Sequence, residues 1–152
     1  MKKNKLGAFT LLELLVVIAI MAILISLGVA SFSNAQRKSR DSRRREDIKA
    51  VQNGLEQYYA DHDGGYPKGA GGAMITLPTM ITTAGTDYFP AGAPVDPKNV
   101  SPYQYGGRSN GDKYCVCAQL ETAGAGNANA AATGTSCAYG GTKNFFCVSN
   151  LQ

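Results

Sequence analysis

The chain has 152 residues, a net charge of +4 and a pI near 8.9, with no Trp and a single His. That length fits one domain plus an appendage. No phosphate loop, nucleophile elbow or acid pair at a useful spacing occurs, which argues against an enzyme.

Residues 1–8, MKKNKLGA, place Lys2, Lys3 and Lys5 ahead of an apolar run, as a targeting segment does. Residues 14–32 then run for nineteen positions without a charge. About twenty helical residues cross a hydrocarbon core of ~30 Å, so this stretch predicts a membrane-spanning helix. Gly28 and Ala30 come nearest to a small-x-small signal-peptidase site but do not make one, so an uncleaved anchor is predicted. Glu13 is the anomaly, because an acidic residue at mid-bilayer costs on the order of 3 kcal/mol.

The helix is predicted to continue to about His62, where Gly64-Gly65 stops it. From Phe9 that is a length of ~80 Å at 1.5 Å per residue. Ile48, Val51, Leu55, Tyr58 and Tyr59 recur at helical spacing and form one apolar stripe. Residues 36–47 show no such stripe and read as polar all round. Gly28 and Gly54 each weaken a helix by about 1 kcal/mol relative to Ala. The cluster RKSRDSRRRE has three readings: a phosphate contact, a lipid-headgroup contact, or a solvated surface neutralised by Asp41, Glu46 and Asp47. The interspersed acids and the lack of adjacent aromatics favour the last two, so no specific nucleic-acid partner is expected.

Residues 63–152 read as a small head. Beyond residue 50, five basic residues face seven acidic ones, so the positive charge belongs to the leader and the stem. Residues 63–102 are rich in Gly and Pro and predict loops, with a short helix or turn near ITLPTMI. Strands are predicted at 102–107 and 113–121, joined by a turn on Asn110-Gly111, and at 143–149. Between the last two, TAGAGNANAAATGTS is poor in large apolar groups and predicts a mobile surface loop.

Cys115, Cys117, Cys137 and Cys147 all fall in the head, beyond the apolar helix. An even number there predicts two disulfides in an oxidising compartment. Cys115 and Cys117 share one strand face, which disfavours a bond between them. The expected pairing is Cys115–Cys147 between strands and Cys117–Cys137 across the loop. Zinc is the rival, against which stand the unusual Cys-x-Cys spacing and the lack of a nearby His, so no metal site is assigned. His62, within ADHDGG, reads as a helix cap rather than a ligand. Asp87, Asp96 and Asp112 are the residues available for calcium, but they form no EF-hand string, so no cofactor is expected.

The stretch GAFTLLELLVVIAIMAIL resembles the N-terminus of the type IV pilin and pseudopilin superfamily. Such chains carry a basic leader, a small residue, Phe-Thr-Leu-x-Glu and an apolar helix. The resemblance is strongest over residues 1–35 and loosens beyond residue 67. It implies that a membrane prepilin peptidase cuts between Ala8 and Phe9, and that the new Phe9 amine is methylated. Ala8 stands where Gly is usual; a cut after Gly7 would move Glu13 from fifth to sixth place. The resemblance further implies that Glu13 of an incoming subunit pairs with the Phe9 amine of a neighbour, which lowers the cost of both buried ions. The positive-inside rule alone predicts the opposite orientation, since more cations follow the apolar run than precede it. The resemblance instead places the leader in the cytoplasm.

The resulting expectation is an α+β chain. It has a leader (1–8), a membrane and filament-core helix (9–35), a polar then amphipathic helix (36–62) and a disulfide-bonded head (63–152) bearing a three-stranded antiparallel sheet. The implied function is a structural subunit, held in the cytoplasmic membrane as precursor and polymerised by assembly machinery into an extracellular type IV pilus-like homopolymer. The alternative is the major pseudopilin of a type II secretion or DNA-uptake system. A monomeric membrane-anchored binding module is the alternative from another class.

Overall fold

The computed structural model describes residues 9–131 and 134–152. The chain divides into two compact units, Met1–Gln36 and Arg37–Gln152. Helix α1, Leu11–Asp61, contributes to both. In the first unit its described apolar side chains are exposed; Leu12, Leu15, Ile18 and Leu24 are all more than half exposed. A helix with such a surface satisfies its backbone internally and leaves its side chains for lipid or for other helices. By length and composition this stretch can cross a membrane.

In the second unit, a four-stranded antiparallel sheet in the order β1-β2-β3-β4 accompanies α1. The strands are β1 (Ile75–Thr76), β2 (Gly106–Ser109), β3 (Tyr114–Gln119) and β4 (Phe145–Ser149), and helix α2 spans Leu77–Ala84. Ile48, Val51 and Leu55 of α1 pack with Leu77, Met80 and Ile81 of α2 and with Tyr114, Val116, Ala118 and Val148 of the sheet. Because side chains alternate along a strand, Cys115 and Cys117 face away from this core. They join Cys147 and Ala128 in a second cluster, with Cys137 and Phe145 against it. Strand β3 is therefore covered on both faces.

The sheet has one strand more than the sequence predicts. Ile75–Thr76 pairs with Arg108 and Ser109 at the sheet edge and leads directly into α2. Two residues between the Gly-rich stretch 69–72 and Pro78 carry too short a pattern to be read as a strand. Strand β2 also starts later than predicted, and the turn is centred on Gly111-Asp112 rather than Asn110-Gly111. The Asn110 side-chain oxygen accepts the N–H groups of Asp112 (3.1 Å) and Lys113 (2.9 Å), which makes Asn110 the flank of the turn.

The loop after β3 is not the free loop expected from its composition. Ala128 is fully buried and bridges both Phe145 and Tyr139. The Asn127 side chain donates to the Cys147 carbonyl (2.8 Å) and accepts the Cys147 N–H (2.7 Å). Backbone pairing thus replaces the large apolar groups that the segment lacks. Gly126 is required here, because a Cβ would run into the Phe145 carbonyl. Gly54 has a comparable role on α1, where a Cβ would stand 2.5 Å from the Phe89 ring.

Candidate functional site

At the start of α1, Thr10 and Glu13 bond reciprocally. The Glu13 carboxylate accepts the Thr10 N–H and the Thr10 hydroxyl, both at 3.0 Å, and the Glu13 N–H donates to the Thr10 hydroxyl oxygen at 3.2 Å. This is a capping box, which satisfies donors that a helix start leaves open. Both bonds accepted by the carboxylate fall on Oε2. Phe9, immediately before the box, is 86% exposed. The box is legible as Thr-x-x-Glu in residues 10–13, a capping signal that the Phe-Thr-Leu-x-Glu motif overlays. Ala8 and the leader lie outside the described residues.

The second arrangement lies under the head. Arg44 is fully buried. Its Nε and Nη2 donate to the two carboxylate oxygens of Asp96, at 2.6 and 3.1 Å. Its Nη1 donates to Asp41 (2.8 Å) and Glu121 (2.9 Å). Arg40 holds Glu121 through a second two-pronged contact, at 2.6 and 2.7 Å, and Lys98 reaches the same carboxylate at 2.9 Å. Asp41 also accepts the N–H groups of Glu121 and Thr122. Three cations thus meet three anions, and the Tyr103 ring lies against Arg44 (4.8 Å) and Lys98 (4.6 Å).

The charges in this network are tuned by their partners. The Arg40 guanidinium, against the opposing effect of burial, joins Lys98 and Arg44 in holding the Glu121 carboxyl well below the usual carboxylate range. Burial pushes Asp41 and Asp96 up. Backbone N–H donors and Arg44 outweigh it, so both stay below their ordinary values. Elsewhere on α1, Glu56 accepts the hydroxyls of Tyr66 (3.0 Å) and Tyr114 (2.7 Å), and Asp47 accepts that of Tyr105 (2.6 Å). Carboxylates along one helix therefore tie the head to it.

This network corrects the reading of RKSRDSRRRE. Arg44 is fully buried and the partly exposed Arg40 is held by Glu121, so neither is a free surface cation for lipid or phosphate, and Arg45 donates to the Ala125 carbonyl at 2.6 Å. Residues 36–47 are polar all round as read, but they are not solvated all round, since Asp41 and Arg44 are buried. The signal was present. Positions 41, 44, 48, 51 and 55 alternate spacings of three and four, so the apolar stripe continues as a charged one.

All four cysteines are bonded, but the pairing differs from the expected one. The bonds are Cys115–Cys137 and Cys117–Cys147. The register explains this: Cys117 lies opposite Cys147 with Cα atoms 4.1 Å apart, whereas Cys115 lies opposite Ser149. Asp96 belongs to Arg44, and no group of three or more metal-ligating side chains includes Asp87, Asp96 or Asp112 among the described residues. The His62 ring donates through Nδ1 to the Tyr58 carbonyl (2.9 Å) and stacks on Tyr58, as suits a helix end.

Residues 3–29 match the prokaryotic N-terminal methylation motif family. The chain is 37% identical over 81 residues to type II secretion system core protein G of Aeromonas hydrophila, covering 52% of this chain and 56% of that protein. It is 35% identical over 118 residues to type II secretion system core protein G of Klebsiella michiganensis, covering 70% of this chain and 81% of the relative. The chain belongs to the type IV pilin and pseudopilin superfamily. No solved structure matches it.

Members of this superfamily are structural rather than catalytic, and the site reads accordingly. A pilin-type chain needs an anchor helix, a means of presenting the N-terminal residues and a head fixed to the stem. The methylation motif marks residues 3–29 as those of a prepilin anchored in the membrane. The capping box closes the first turn of the pilin helix, and the Arg44 network ties the head to that helix.

Proposed function

We propose that this chain is the major pseudopilin of a type II secretion-type system, a subunit that polymerises through its N-terminal helix. The observation that carries this is the match to a core protein G over 118 residues, which extends well beyond the shared N-terminal motif. From the sequence alone a surface pilus is the first expectation and a pseudopilin the second; the relatives favour the second.

In this reading the peptidase removes residues 1–8 and leaves Phe9 with a free amine, which is then methylated. Thr10 and Glu13 organise the first turn around that amine. In the filament, the Glu13 carboxylate of one subunit meets the Phe9 amine of the next, and the apolar helices bury one another. A lone ion pair in an apolar bundle sets axial register, as single polar residues do in coiled coils.

Mass spectrometry and N-terminal sequencing of the assembled protein test this. The expected chain is shorter by eight residues and begins with N-methyl-Phe9. Assembled filaments that retain Met1 contradict the processing. Deletion of the chain should abolish export of secreted enzymes, with a surface-fibre defect alone favouring a pilus.

A further inference from the structure

The four cysteine sulfurs lie within 4.8 Å of one another. The two that share β3 without bonding, Cys115 and Cys117, have sulfurs only 3.7 Å apart. A tetrahedral zinc–thiolate centre has Zn–S bonds of about 2.3 Å, which sets its S···S edges at about 3.8 Å. The spacing of the unbonded pair is thus that of two ligands on one ion. Strands β3 and β4 carry Cys115, Cys117 and Cys147, so three ligands stand on a paired sheet. Cys137 arrives from the loop, which Asn127 and Ala128 dock on β4. Ala128 and Phe145 provide an apolar wall.

We propose that, once its two disulfides are reduced, the head binds one zinc-class divalent cation through Cys115, Cys117, Cys137 and Cys147. A thiol or phosphine reductant supplies four electrons, solvent supplies four protons, and both S–S bonds break. The cation then displaces four protons to solvent and forms four metal–sulfur bonds. Thiolates select borderline and soft cations, so magnesium and calcium do not suit this site. Disulfides and metal are two alternative staples at one place: both hold the loop of Cys137 to the sheet. The Cys-x-Cys spacing, which disfavours a zinc knuckle on a short loop, is no obstacle when the two residues stand side by side on a strand.

The test uses the full chain in detergent, reduced with a phosphine under anaerobic conditions and titrated with cobalt(II). The expected result is one cobalt per chain, with thiolate charge-transfer bands and the visible bands of tetrahedral cobalt. Zinc should displace it. Thermal unfolding of the reduced head should rise with zinc and stay unchanged with magnesium or calcium. Cys137→Ser removes one ligand and should weaken cobalt binding by more than about 100-fold, the upper end of what losing a mere outer-sphere partner costs. Absent charge-transfer bands overturn the proposal, as does an unchanged spectrum in Cys137→Ser. A reduced chain that stays unfolded with zinc present also overturns it, because the sheet is then not what assembles the ligands.

Discussion

Arg44 and Asp96, fifty-two positions apart, meet through two parallel hydrogen bonds with neither side chain exposed to solvent. The contact joins α1 to the loop that precedes β2. Glu121, just after β3, meets the same guanidinium. One side chain of α1 therefore ties two separate segments of the head to the helix.

Arg44→Met should destabilise the head by about 3–5 kcal/mol, because it leaves buried carboxylates without their counter-charge. Arg40→Met should cost less, since Arg40 is partly exposed and Arg44 and Lys98 still face Glu121. Urea denaturation of both variants measures the difference. Equal losses would contradict the central place of Arg44.

The pH dependence has a definite sign. Asp41, Asp96 and Glu121 sit below their ordinary values in the folded head. Their contribution is present above the unfolded carboxylate values near ~4 and is lost as pH falls through the lower folded ones. Denaturation midpoints should hold from pH 7 to about 5 and then fall. The fall should be shallower in Arg44→Met. An acid profile identical in that variant would show that these carboxylates do not set it.

How much of this was legible in the sequence varied with the kind of interaction. The anchor helix and the stripe Ile48, Val51, Leu55 could be read because apolar periodicity is local. Arg44 could not be placed by type alone, since a buried Arg and a solvated one look alike until the partners arrive from positions 96 and 121. The cysteine pairing needed the β3–β4 register, and a shift of two residues changes which cysteine stands opposite which. The segment around Asn127 was misread because its packing comes from backbone bonds and small size rather than hydrophobic bulk.

Gly54→Ala offers a test where helix propensity and packing disagree. In an open helix the change gains about 1 kcal/mol. Here the new Cβ meets the Phe89 ring, and overpacking of this kind costs about 1–3 kcal/mol. The variant should melt lower than the parent, and Gly54→Ala with Phe89→Leu should recover part of the loss. A higher melting temperature in the single variant would show that Phe89 moves aside freely.

Peptide mapping without reduction should recover Cys115 linked to Cys137 and Cys117 linked to Cys147, with no free thiol. The bonds close separations of 22 and 30 residues. Removing either should cost about 2–5 kcal/mol, and reduction should leave membrane insertion intact because the anchor holds no cysteine. Cys115 linked to Cys147 would contradict the observed β3–β4 register.

The most direct test of the filament account is a comparison of Glu13→Gln with Glu13→Val. Gln preserves the capping box, since either Glu or Gln serves at that position, but removes the charge. Val removes both. Filaments are sheared and quantified against total membrane-bound subunit, with leader removal followed by gel shift. If the Glu13 charge pairs with a neighbour's Phe9 amine, both variants are processed normally and both lose filaments, while Glu13→Asp is intermediate. Normal filament yield from Glu13→Gln would contradict the account, leaving Glu13 as a helix cap with no assembly charge to contribute.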